Sequence, residues 1–62
     1  MRVLVNGAPR EVSERCSIAI LAPQRSGVAV ALNGVVLRRA EWDGTWLRED
    51  DAVEVLTAHQ GG

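Results

Sequence analysis

Apolar and polar positions alternate at the start of the chain. Arg2-Val3-Leu4-Val5-Asn6 reads as a short β-branched strand. Asn6-Gly7 follows, a dipeptide suited to a tight hairpin because both residues tolerate positive φ. Pro9 fits the start of a returning strand that runs to about Val12. The pattern changes over residues 13–23. Ile18, Leu21 and Ala22 fall on one helical face, Ser13 or Ser17 is placed to cap, and Pro23 ends the helix after at most two or three turns. A helix this short has little stability of its own and needs a sheet to pack on. After a loop at 24–27 comes a third strand, Val28 to Leu32. A second Asn33-Gly34 turn and a fourth strand, Val35 to Arg38, follow. Trp42 and Trp46 are four apart, so a helical turn there would bring them together. Residues 48–51 form a charged turn, and Ala52 to Ala58 is the fifth strand.

The order is therefore hairpin, helix, hairpin, short turn, last strand. Placing the last strand between the hairpins, parallel to the first, closes a mixed five-stranded sheet with the helix packed on one face. This is an α+β chain of the β-grasp (ubiquitin-like) kind. Residues 1–58 are expected to form this domain and residues 59–62 a flexible tail. Strand alternation points Val3, Val5, Val30, Leu32, Val53 and Val55 toward the helix, to form a core with Ile18, Leu21 and Leu47. Arg2, Leu4, Ala31, Glu54 and Leu56 fall on the uncovered face. There Leu4, Ala31 and Leu56 make a candidate docking patch.

Sixty-two residues allow a single small core, which favours a carrier or binding module over a self-sufficient enzyme. A net charge of −1 with only two aromatic residues argues against a nucleic-acid binder. No apolar run is long enough to span a bilayer, and the first residues lack the block of a signal peptide. The expected location is the cytoplasm. Cys16, the single cysteine, reads as a small packed thiol, and one cysteine with one histidine cannot build a metal site. Arg38 and Arg39 read as solvated surface.

The remaining chemistry is at the end of the chain, His59-Gln60-Gly61-Gly62. With glycine at about 7% of ordinary sequence, a terminal pair arises by chance about once in 200. Glycine lets backbone approach a partner closely. Four extended residues reach roughly 13–14 Å, enough to thread a terminal carboxylate into another protein's channel. All seven basic residues are arginine, a usage that a GC-rich genome accounts for and that also leaves no lysine amine to compete for an activated acyl group. Gly62 is thus the candidate reacting residue, with Gly61, Gln60 and His59 as the threaded segment.

Several stretches resemble the ThiS family of thiamine-pathway sulfur carriers. They are Arg2 to Gly7, Val28-Ala29-Val30-Ala31-Leu32-Asn33-Gly34, Arg39-Ala40-Glu41-Trp42, Asp51-Ala52-Val53-Glu54-Val55 and Gln60-Gly61-Gly62. Asp50 stands where such proteins often carry glycine, and is expected to adopt a left-handed turn. The resemblance implies a protein co-substrate with no bound cofactor. A ThiF-like adenylating enzyme would activate the Gly62 carboxylate with ATP and magnesium. A cysteine-derived persulfide would supply sulfur, and a ThiG-like thiazole synthase would consume the thiocarboxylate. A MoaD-like carrier for molybdopterin synthesis has the same Gly-Gly end. A non-covalent β-grasp interaction module and a protein modifier complete the open readings.

Overall fold

The computed structural model describes residues 1–22 and 27–57. Pro23, most of the 24–27 loop, Ala58 and the whole of the 59–62 tail lie outside the described residues. The elements are β1 (Arg2–Val5), β2 (Ala8–Glu11), α1 (Ile18–Leu21), β3 (Val28–Leu32), β4 (Val35–Leu37), a 3-10 turn at Arg39–Glu41 and β5 (Ala52–Thr57). They form one sheet in the order β2-β1-β5-β3-β4. β5 runs parallel to β1 and antiparallel to β3, and so joins the two hairpins.

Both hairpins turn on two left-handed residues. φ is 51° at Asn6 and 84° at Gly7, then 49° at Asn33 and 86° at Gly34. Two positive φ values in a two-residue loop match the right-handed twist of the flanking strands, which sets the registers Val5 to Ala8 and Leu32 to Val35. Asp50 is the third left-handed non-glycine residue, at φ 69°. Its N–H donates to the Arg2 carbonyl at 2.8 Å, and Arg48 N–H donates to Asp51 Oδ2 at 2.8 Å. The charged turn is thereby closed on itself and tied to the start of β1.

The helix is a single turn, shorter than the periodicity allows, and neither serine caps it through a side chain. Ser17 is the N-cap residue and makes no side-chain cap bond. The free N–H groups of the first turn find backbone carbonyls instead: Ile18 N–H donates to Thr45 at 3.0 Å and Ala19 N–H to Trp42 at 3.3 Å. Leu47 N–H returns a bond to the Cys16 carbonyl at 2.8 Å, beside a bridge between Ser17 and Trp46. The downstream segment from Trp42 to Leu47 therefore holds the helix, in keeping with its low intrinsic stability.

Val3, Ile18, Val30, Leu47 and Val53 are buried, joined by Cys16, Ala22 and Trp42; Val5, Leu21, Leu32 and Val55 pack half-buried around them. The two tryptophans do not share a helical face. Thr45 Oγ1 donates to the Glu41 carbonyl at 2.6 Å, and the chain then extends into the Ser17 bridge. Trp42 is left inside and Trp46 half-exposed. The Arg39 guanidinium lies 4.6 Å from the centre of the Trp42 ring, and that of Arg15 lies 5.6 Å from the centre of Trp46.

Candidate functional site

The sheet face away from α1 is built by alternation and by strand register. Leu4 lies between Pro9 of β2 and Ala52 of β5. Glu54 pairs with Ala31, which pairs in turn with Val36 of β4. Leu56 pairs with Ala29. Leu4 is 38% exposed, Leu56 66% and Val36 75%, whereas Ala31 is half-buried. These residues make an elongated apolar surface crossed by the carboxylate of Glu54. Leu4 and Leu56 share the face without touching neighbouring rungs: Leu4 is level with Ala52, four residues and about 13 Å before Leu56.

Val36 is fractionally the most exposed of them and was not among the residues singled out from the sequence. The signal for it was present. A two-residue Asn33-Gly34 loop forces Leu32 opposite Val35, and so places Ala31 opposite Val36. Ile20, on α1 itself, and Trp46, on the segment bridged to Ser17, are exposed elsewhere.

The face leads toward the end of β5. Thr57, the last described residue, pairs with Val28, and Val55 is gripped on its other edge by the Asn6 side chain. His59, Gln60, Gly61 and Gly62 lie beyond, outside the described residues. Cys16 is buried and its thiol lies 3.6 Å from the Ser17 carbonyl oxygen, which makes it part of the packing. Among the described residues there is no cavity, and no three His, Cys, Asp or Glu side chains cluster as metal ligands would. No helix among them is long and apolar enough to cross a membrane.

A mixed sheet in this order, crossed by a helix between the second and third strands, defines the chain as a β-grasp protein. The ThiS family model matches residues 3–62, and the chain belongs to the ThiS family. The crystal structure of thiamine biosynthesis protein ThiS from Geobacter metallireducens is similar to it, with a TM-score of 0.79 and 38% identity over 100% of both chains. The NMR solution structure of a thiamine biosynthesis protein from Geobacter metallireducens has a TM-score of 0.77 and 38% identity, over 100% of this chain and 88% of that one. No curated protein matches the chain.

Proposed function

We propose that the chain is a sulfur carrier of thiamine biosynthesis, a protein co-substrate whose reacting group is the carboxylate of Gly62. The observation that carries this reading is the family match, which runs through to residue 62 and includes Gly61-Gly62. The similarity to the Geobacter thiamine biosynthesis proteins over the whole chain supports the pathway.

A carboxylate resists nucleophiles because of its charge and its poor leaving group. An adenylating enzyme would join it to AMP from ATP, with magnesium, and release pyrophosphate. A persulfide derived from cysteine would then displace AMP. Reductive cleavage of the resulting S–S bond by a thiol leaves a thiocarboxylate on Gly62. A thiazole synthase would take that sulfur. In this division of labour residues 1–58 dock and residues 59–62 thread, with Gly61 and Gly62 thin enough to pass a narrow channel. The face of Leu4, Ala31, Val36 and Leu56 is the docking surface, since exposed apolar side chains gathered on one sheet face have a use when a partner covers them.

Intact mass after incubation with an adenylating enzyme, ATP and a sulfur source tests the reading. One oxygen exchanged for sulfur adds about 16 Da. The gain is expected for the full chain and absent when Gly62 is deleted. An unchanged mass for the full chain, or charging that survives the deletion, refutes the proposal. Transfer of the sulfur only to a molybdopterin precursor would move the chain to the other carrier branch.

A further inference from the structure

Each of the two Asn-Gly turns does more than reverse the chain. On the parallel side of β5, Leu4 N–H donates to the Asp51 carbonyl at 2.9 Å, and Asn6 N–H donates to Val53 at 2.8 Å. In a parallel ladder the following rung would run from Val55 N–H to the Asn6 backbone carbonyl. A left-handed residue swings that carbonyl out of the ladder. The Asn6 side chain replaces it: Val55 N–H donates to Oδ1 at 2.8 Å, and Nδ2 donates to the Val55 carbonyl at 3.3 Å. The donors and acceptors of Val55 fix the orientation of the amide, because a carbonyl can only accept and an N–H can only donate.

Asn33 repeats the device on the antiparallel side. Its N–H donates to the Ala52 carbonyl at 2.7 Å, and Ala52 N–H donates to Asn33 Oδ1 at 2.9 Å. The central strand is thus pinned by one asparagine amide near its start and by another near its end. The second, Asn6, grips β5 two residues before its end at Thr57.

We infer that Asn6 is a positioning residue for the carrier reaction, setting the direction in which the chain leaves β5. The inference rests on the carrier reading proposed above. β3 holds one edge of β5 as far as Thr57. On the other edge, the described contacts of β1 and its turn end with the Asn6 amide at Val55. Val55 lies two positions before Thr57, the last residue of β5. Without the amide, β3 alone sets the path by which the chain leaves the sheet. A misplacement of about 1 Å at a reacting group can lower a rate about 100-fold.

Glycine suits a left-handed turn at least as well as asparagine does, so Asn6→Gly removes the amide and spares the hairpin. Asn33→Gly removes the same kind of clamp from the far end of β5 and is the matched control. Both full-length variants are expected to stay folded, and Val55 amide exchange is expected to quicken only in Asn6→Gly. With an adenylating enzyme and ATP, Asn6→Gly is expected to lower kcat for acyl-adenylate formation about tenfold, with KM within about twofold. Asn33→Gly is expected to keep kcat within about twofold of the native chain. Asn6→Asp keeps an oxygen for the Val55 N–H and is expected to retain more kcat than Asn6→Gly.

Equal losses in the two glycine variants, a native kcat in Asn6→Gly, or a reversed order of Asp and Gly would overturn the inference and leave the carrier reading standing. A native chain that is never adenylated would remove the carrier reading, and the inference with it.

Discussion

Replacing Trp42 by alanine removes the largest fully buried side chain, which is 2% exposed. Truncating a buried tryptophan costs about 3–5 kcal/mol. Two features of the site adjust that figure. The Arg39 guanidinium at 4.6 Å loses its aromatic platform, which adds about 0.5–1 kcal/mol. Trp42 Nε1 is buried with no hydrogen-bond partner among the described residues, so its removal returns about 1–3 kcal/mol. The net loss is centred on about 3 kcal/mol, within a span of about 0.5–5 kcal/mol. At about 0.05–0.15 kcal/mol per residue, a 62-residue domain has about 3–9 kcal/mol in all. Trp42→Ala should therefore forfeit a large part of the stability. Trp46→Ala, at a side chain 51% exposed, should cost no more than about 1 kcal/mol. Urea unfolding followed by circular dichroism gives both values. Fluorescence adds an independent check, because each variant retains one tryptophan: Trp42 alone should emit to the blue of Trp46 alone. Trp42→Phe, which drops the orphaned N–H and keeps a ring beneath Arg39, should lose less than half as much as alanine. Equal losses at positions 42 and 46, or a Trp42→Ala cost below about 0.5 kcal/mol, would refute this account of the core.

Two further experiments address the backbone and the uncovered face. Gly34 has φ 86° with nothing within 4 Å of an added Cβ, whereas Gly44 has the same open space without positive φ. Gly34→Ala should cost about 1–2 kcal/mol of backbone strain alone, and Gly44→Ala should be neutral to slightly stabilising; similar thermal shifts in the two would show that left-handed geometry is not what the turn requires. Leu56→Glu on the exposed face should change stability by less than about 0.5 kcal/mol, yet weaken binding to an adenylating enzyme at least about tenfold. Unchanged affinity, measured by titration calorimetry, would show that this face does not dock.

Much of the fold was legible from short-range chemistry. Asn6-Gly7 and Asn33-Gly34 announce their hairpins because a left-handed pair is a local property of two residues. The left-handed Asp50 was legible only through the resemblance, at a position where such proteins often carry glycine. Alternation assigned Val3, Val30 and Val53 to the core, since side chains on a strand must point to opposite faces. What went unread depends on distant partners. The serines looked like helix caps, but the first-turn N–H groups bond to Thr45 and Trp42 carbonyls that only the folded chain brings near. The spacing of Trp42 and Trp46 suggested one helical face, and the Ser17 bridge drew Trp46 away.

The amino-acid order by itself determined the hairpins, the inward-facing valines and the Gly61-Gly62 end on which the proposed chemistry depends. Tertiary structure decided which residues share the uncovered face, because Leu4, Val36 and Leu56 come from three strands and are brought to one side of the sheet only by the register of β5 with β1 and β3, and of β3 with β4. It also decided the second use of the asparagines. A turn preference is fixed within two residues, but a side-chain amide can stand in for a missing rung only when another strand arrives beside it with an N–H unpaired.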